Sequence, residues 1–155
     1  IENCPMSGDW RHPTCNIGFN PDAWDMMFDA VPSDALGLEW EPAHQIAQLI
    51  DPIANLRRYA GKVFHVHGKD ARIERGLADT DGLLEPRPVT ESADRVWNYV
   101  AVGCGKDLQW WKEFFSVYHM MGYDGDVSLE MEDLTMTVDA GVHTSIDALR
   151  QTISQ

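Results

Sequence analysis

Positive charge is scarce in this sequence: 12 lysines and arginines stand against 25 aspartates and glutamates, which gives a formal net charge of −13. Nucleic acids and anionic membrane surfaces bind proteins through basic patches, and the sequence contains none. Apolar runs of about 20 residues, which a membrane-spanning helix needs, are also absent, and the first residues do not have the pattern of a signal peptide. We therefore expect neither nucleic acid nor membrane as a partner.

Cysteine is scarce as well. Cys4, Cys15 and Cys104 are odd in number and lack the spacing of a metal site, which favours free thiols in a reducing compartment. We therefore expect a cytoplasmic protein. A hydrophobic share of 44% with six tryptophans allows a substantial core, and 155 residues suit one domain.

Two histidines, His65 and His67, alternate with apolar residues in one stretch. Successive side chains of an extended strand point to opposite faces, so the histidines share one face with Val63. Phe64 and Val66 share the other face. The pattern predicts a strand with one polar face.

Two further stretches, 36–42 and 127–133, alternate in the same way, with acidic residues on one face, and residues 1–5 resemble the end of a fourth strand. Helical patterns separate these stretches, which predicts a parallel sheet whose strands end at one edge. The residues at the four ends are Glu2, Glu41, His67 and Glu130. Three carboxylates with one imidazole suit a divalent cation such as Mn²⁺ or Mg²⁺.

Several helices have clear start signals. Asn20 and Asp51 each precede a proline at the first helical position, and Asp107 precedes a long aromatic-rich segment. The aromatic residues between 110 and 115 recur at helical spacing, which predicts that they belong to the core. A last helix is predicted from apolar residues at helical spacing between 142 and 153.

The remaining segments predict loops and short pieces. Residues 4–19 are rich in turn-forming residues, and residues 68–94 have no sustained apolar period, which is typical of a long functional connection. Residues 96–102 predict a short extended piece. We expect Glu132 and Asp133 to begin the last helix, where carboxylates are favoured by the helix dipole.

Ile1 stands in mid-strand, without an initiator methionine or a leader. We therefore expect residues 1–155 to form a single domain that is a fragment of a longer protein. Four parallel strands alone would leave two open sheet edges. A missing N-terminal piece or a second copy of the chain that pairs as two half-barrels is expected to cover them, and a rearranged fold is the remaining alternative.

Four motifs carry a family resemblance: His65-Val-His-Gly-Lys-Asp70, Glu41-Pro-Ala-His44, Gly103-Cys-Gly-Lys-Asp-Leu-Gln-Trp110 and Gly122-Tyr-Asp-Gly-Asp-Val-Ser-Leu-Glu-Met-Glu-Asp133. Together they resemble the sugar phosphate isomerase/epimerase family, the xylose isomerase-like branch of the TIM barrels. The resemblance implies an α/β fold, the C-terminal half of a (β/α)₈ barrel with strands five to eight and their helices. Strands one to four are absent from it.

The resemblance also implies a function, a divalent-metal-dependent isomerase or epimerase of a keto-sugar or sugar phosphate. Its cofactor would be Mn, Mg, Co or Zn, and the reaction would remove a proton beside a carbonyl through a metal-stabilised enediolate. The implied metal ligands are Glu2, Glu41, His67 and Glu130. Glu2 and Glu130 would serve as the acid/base pair, and His44 would contact a sugar oxygen.

Other residues are weaker candidates or depart from the family. Lys69 and Arg72 are candidates for gripping sugar hydroxyls or phosphate, although charged runs after strands are commonly solvated. His65 is expected to be a buried histidine with a hydrogen-bond partner or a group that supports a metal ligand. Glu41 replaces the family's usual aspartate, and Val100 stands where an arginine is often found.

Two alternatives remain open at the level of sequence. The first is a non-catalytic half-barrel that binds a sugar or a protein partner, in which the ion is structural or absent. The second is a keto-sugar lyase or dehydratase, because elimination of water uses the same ion and base.

Overall fold

The computed structural model describes residues 1–7, 14–85 and 87–153 and has an α/β architecture. Its strands are β1 (Met6–Ser7), β2 (Thr14–Cys15), β3 (Leu38–Trp40), β4 (Val63–Gly68), β5 (Asp70–Ile73), β6 (Trp97–Val100) and β7 (Val127–Leu129). Its α-helices are α1 (Pro21–Ala30), α2 (Pro42–Ala47), α3 (Pro52–Tyr59), α4 (Arg75–Asp81), α5 (Leu108–Met120) and α6 (Val138–Thr152). No helix among these described residues is long and apolar enough to cross a membrane.

The central sheet has the order β3-β4-β7, and both of its strand pairs are parallel. A parallel bridge between Glu2 and Glu39 places the first residues beside β3, on the side away from β4. The predicted parallel sheet is therefore confirmed. The first segment contributes a single bridge to it instead of a full strand.

The helix starts follow the capping signals. The Asn20 side chain accepts a hydrogen bond from the backbone N–H of Ala23, and Asp51 and Asp107 cap α3 and α5 in the same way. These caps satisfy backbone donors that a helix cannot satisfy itself. The three predicted starts are confirmed.

The core lies between one face of the sheet and the helices that cover it. The largest wholly buried side chains are aromatic, namely Trp24, Trp40, Trp111 and Phe114. Trp24 packs against Trp40 with ring centroids 5.5 Å apart, and Trp111 packs against Phe114 at 5.3 Å. The predicted aromatic core of α5 is confirmed, and the opposite face of the sheet is left to polar side chains.

Strict alternation fails at the start of β4. The register against β3 shifts between Leu38 and Glu39, so that Val63 enters the core while Phe64 is 50% exposed. The predictions that Val63 shares the face of the two histidines and that Phe64 shares the face of Val66 are both wrong, because a register irregularity of this kind reverses the facing of the residues before it.

Two loop predictions and one predicted helix start also need correction. The connection after Gly68 contains β5, which pairs antiparallel with β6, and α4 lies between these two strands in the sequence. The predicted loop at 4–19 holds the antiparallel pair β1–β2, and its residues 8–13 lie outside the described part. Asp133 does not begin α6, which starts at Val138; it is buried and accepts a hydrogen bond from the Ala101 backbone.

A buried aspartate holds the loop that follows β6. The Asp70 carboxylate accepts hydrogen bonds from the backbone N–H groups of Gly103, Gly105 and Lys106, at 3.0–3.1 Å, and from Trp111 Nε1 at 3.2 Å. Gly103 has a φ of 91°, a left-handed conformation that favours glycine. The loop is thereby anchored directly beside the residues that follow β4.

Gly105→Ala is expected to destabilise this anchor by about 1–3 kcal/mol, the cost of overpacking a filled site. A Cβ at this position would lie 2.7 Å from the Ala71 carbonyl carbon, and backbone atoms cannot move aside as a flexible side chain can. Gly76→Ala is the matched control, since its Cβ would meet nothing within 4 Å and it lies in α4. Urea unfolding should show a lower midpoint for the first variant and an equal or higher one for the second; equal midpoints would contradict the anchor.

Candidate metal centre

Four side chains from four separate segments meet at one place on the polar side of the sheet. The residues are Glu2, Glu41, His67 and Glu130, and one oxygen or ring nitrogen from each lies within 4.8 Å of the others. Each residue belongs to a strand or to the residues directly after one, apart from Glu2 at its bridge. The expected convergence of these four strand ends is therefore present in the structure.

Glu41 has two roles because its two oxygens point to different partners. Oε1 accepts a hydrogen bond of 3.0 Å from the Ala43 backbone and caps α2, while Oε2 lies 3.1 Å from His67 Nδ1. The side chain is wholly buried, and burial raises its pKa to about 7. The cap holds the carboxyl group rigidly, with one oxygen left for the site.

His67 has a carboxylate at each end of its ring. Nδ1 lies 3.1 Å from Glu41 Oε2 and 3.0 Å from Glu130 Oε2, and Nε2 lies 2.8 Å from Glu39 Oε1. The carboxylates of Glu130 and Glu41 beside the ring raise the pKa of His67 to about 10. The imidazole is therefore a cation at neutral pH unless another positive charge takes the place of its proton.

Glu130 lies between two positive groups. The His67 imidazolium, followed by the Lys69 ammonium, holds the pKa of this carboxyl well below its usual range. Oε1 receives a hydrogen bond of 2.6 Å from Lys69, whose ammonium also lies 2.8 Å from Glu132. Oε2 is buried and lies 3.0 Å from His67 Nδ1, but no described group donates a hydrogen bond of good geometry to it.

The side chain of His44 holds Glu2 in place. His44 Nε2 lies 3.3 Å from Glu2 Oε1, and His44 Nδ1 lies 3.1 Å from the Tyr99 hydroxyl. Burial lowers the pKa of His44 to about 3, so the ring is neutral and has one donor and one acceptor. A carboxylate only accepts, so Nε2–H donates to Glu2 and the Tyr99 hydroxyl donates to Nδ1. The pKa of Glu2 is raised, first by burial and then by the nearby Glu130.

A buried amide ties the first segment to β3. Asn3 donates from Nδ2 to the Glu41 carbonyl oxygen at 2.9 Å and accepts at Oδ1 from the Glu41 backbone N–H at 2.6 Å. Its neighbour Glu2 is thereby set at a defined distance from Glu41, even though only one bridge pairs this segment with the sheet.

The donor set fits a divalent cation of the Mn²⁺ or Mg²⁺ type. Carboxylate oxygens with one imidazole are the ligands that such ions accept, and neighbouring ligands around an ion with bonds of about 2.1 Å stand about 3 Å apart. His67 Nδ1 lies 3.1 and 3.0 Å from the nearest oxygens of Glu41 and Glu130. The buried Oε2 of Glu130, which lies 3.0 Å from His67 Nδ1 and receives no hydrogen bond of good geometry, adds an acceptor that a cation would satisfy.

The other residues that the sequence suggested for the site or its support are Lys69, Arg72 and His65, and the surroundings of the three differ from one another. Lys69 is buried inside the carboxylate cluster, with its ammonium 4.3 Å from the centre of the Tyr99 ring. Arg72 forms an ion pair of 2.8 Å with Glu74 in a separate pocket of about 530 Å³, which is lined in part by residues of β5, α4 and β6. His65 has the expected hydrogen-bond partner, Ser128 Oγ at 2.8 Å, but it is partly exposed instead of buried.

Four residues that contact the site residues or their neighbours were not named as site residues from the sequence: Glu39, Glu132, Asn3 and Tyr99. Strand alternation places Glu39 on the face of Glu41 and Glu132 on the face of Glu130, which was the available signal for both. Asn3 and Tyr99 had no such signal, because their partners are distant in the sequence.

Comparisons with known proteins agree with this architecture. The chain is 56% identical over 137 residues to the uncharacterized protein YfiH of Bacillus subtilis (strain 168), which covers 88% of this chain and 44% of that protein. A crystal structure of a xylose isomerase domain protein from Planctomyces limnophilus superposes with a TM-score of 0.60 at 23% identity, covering 83% of this chain and 42% of that one. The chain thus spans less than half the length of either relative.

The family model described as "Xylose isomerase-like TIM barrel" matches residues 1–152, nearly the whole sequence. Its match includes all four residues of the cluster and the parallel strands that carry them. The chain belongs to the xylose isomerase-like TIM barrel family.

Proposed function

We propose that this chain carries the metal site and the acid/base pair of a divalent-metal-dependent isomerase or epimerase of a keto-sugar or sugar phosphate. The observation that carries the proposal is the convergence of four residues within 4.8 Å, namely Glu2, Glu41, His67 and Glu130. They meet where parallel strands end at their carboxyl termini, the position at which TIM barrel enzymes hold their active sites.

All four residues would hold the ion, and two of them, Glu2 and Glu130, would also move protons. A divalent cation held by the four side chains would supply a Lewis acid that polarises the ketone and a neighbouring hydroxyl. Glu2 lies beside β3 and Glu130 follows β7, so the two carboxylates stand on opposite sides of His67 in the sheet. One carboxylate takes the proton beside the carbonyl, and the other returns a proton on the opposite face, which inverts that carbon.

Two neighbours hold the proposed acid/base pair in orientation. His44, kept neutral by burial, donates to Glu2, and Lys69 donates to Glu130 at 2.6 Å. The proposed contact of His44 with a sugar oxygen would replace one of its present partners, since its two ring nitrogens already contact Glu2 and the Tyr99 hydroxyl. Arg72, in its separate pocket, is proposed only for a distant substituent such as a phosphate.

The proposed active unit is a closed barrel. The chain matches 44% and 42% of the lengths of its two relatives, and β7 is an open edge of the described sheet. We propose that this chain supplies the C-terminal half, strands five to eight, and that an N-terminal half-barrel or a second copy completes the pocket.

The test is hydrogen exchange in D₂O. The chain, loaded with Mn²⁺, is incubated with a panel of ketoses and ketose phosphates, alone and together with the part of the YfiH protein that it does not match. We expect Mn²⁺-dependent deuterium at a carbon beside the carbonyl, observed by NMR. Loss of water from the sugar would identify a dehydratase instead. Bound Mn²⁺ without exchange on any sugar, in either arrangement, would leave the non-catalytic half-barrel as the better description.

A further inference from the structure

His67 presents its second ring nitrogen to a carboxylate outside the four-residue cluster. Nε2 lies 2.8 Å from Glu39 Oε1, while Nδ1 faces Glu41 and Glu130. Glu39 is on β3, two residues before Glu41, and is paired in the sheet with His65. His67 is therefore its diagonal neighbour, a spacing that long side chains bridge easily.

When a cation binds His67, the two ring nitrogens have different roles: one binds the cation and the other carries the proton. If Nδ1 binds a cation, the neutral ring has its one proton on Nε2, and this partly buried N–H needs an acceptor. Histidine ligands of metals commonly donate that second N–H to a carboxylate, which fixes the tautomer and the direction of the ring. Glu39 Oε1 is the acceptor at hydrogen-bonding distance here.

We infer that Glu39 is a positioning residue that holds His67 with Nδ1 toward the metal centre. The inference rests on the proposed function, in that a cation binds at His67. Glu39 is not among the four residues whose ligand atoms lie within 4.8 Å of one another, and it contacts that group at His67 Nε2, the nitrogen opposite the one that faces Glu41 and Glu130.

The alternative is a second cation site that uses Glu39 as a direct ligand, and the experiment below distinguishes it from the positioning role. Glu39, His65 and His67 also have ligand atoms within 4.8 Å of one another. His65 Nε2, however, already has a partner in Ser128 Oγ at 2.8 Å, and the His65 and His67 rings meet edge to face with centroids 5.6 Å apart. A second cation at these three residues would make Glu39 a ligand in its own right.

The experiment compares the full chain with Glu39→Gln, Glu39→Leu and, as a surface control on α5, Glu113→Gln. Zn²⁺ titration by calorimetry is expected to give one site in all four proteins, with an affinity lower by about 10–100-fold for Glu39→Leu. Glu39→Gln, which retains an acceptor oxygen, is expected to recover most of this loss. Thermal unfolding of the metal-free proteins identifies any variant that fails to fold.

Nitrogen NMR of ¹⁵N-histidine-labelled protein gives a readout that a purely structural role would not change. In the Zn²⁺-loaded wild type, His67 should have a metal-bound Nδ1 and a protonated Nε2. In Glu39→Leu, His67 should no longer be held in this one arrangement. Unchanged affinity and tautomer in Glu39→Leu would overturn the inference while leaving the metal centre intact. Two cations per chain would overturn it as well. A wild-type chain that takes up no cation would instead end the proposed function, and the inference with it.

Discussion

Glu130→Gln and Glu2→Gln are each expected to stop proton transfer on one face of the substrate, and on opposite faces. Each substitution removes a proton acceptor, and general acid/base groups contribute about 10²–10⁴-fold to a rate. The two carboxylates stand on opposite sides of His67, one beside β3 and one after β7. One variant should therefore lose deuterium exchange with one epimer of a ketose pair, and the other variant with the other epimer.

The measurement is the initial rate of deuterium uptake by each pure epimer at saturating Mn²⁺, so that weaker metal binding by a variant does not limit the rate. Glu113→Gln, on the exposed face of α5, should match the unchanged chain with both epimers. If both site variants lost exchange with the same epimer only, a single base would serve the reaction. That result favours an isomerase or a dehydratase over a two-base epimerase.

Lys69→Met is expected to lower the free energy of unfolding by about 3 kcal/mol, the lower end of the range for breaking a buried ion pair. The ammonium lies 2.6 Å from Glu130, 2.8 Å from Glu132 and 4.0 Å from the wholly buried Glu41. Without it, the carboxylates face one another with His67 as their only close positive partner among the described residues. The cost stays at the lower end because Glu130 and Glu132 are partly exposed to water.

A divalent cation should restore part of this loss, since it neutralises the same carboxylates and binds only the folded chain. Urea unfolding with and without Mn²⁺ measures both effects. Lys112→Met, on the exposed face of α5, makes the same chemical change away from the site and should have little effect. A loss below about 1 kcal/mol, the value typical of a surface pair, would show that Lys69 does not balance the cluster.

Much of the fold could be predicted because its signals are local. Caps at Asn20, Asp51 and Asp107 depend on hydrogen bonds within three residues, so the sequence alone places those helix starts. Alternation in the strands likewise separates core from polar face. The family motifs then point to the same strand ends as the alternation does, which is why the four residues of the cluster could be named in advance.

The remaining features depend on segments that are distant in the sequence. Local pattern cannot show that the Val63 end of β4 shifts register, because the shift is defined against β3. It also cannot show that Asp133 serves the backbone of Ala101 instead of starting α6.

By itself, the sequence determined that Glu41, His67 and Glu130 face the polar side of the sheet and which family the chain resembles, since both follow from spacing along one strand or motif. Only the tertiary structure decided how those side chains share protons and charge. It put Glu39 at the far nitrogen of His67, Lys69 between Glu130 and Glu132, and Arg72 in another pocket. The reason is physical: the strength of an electrostatic contact depends on distance and burial, and both are set by the packing of strands against one another.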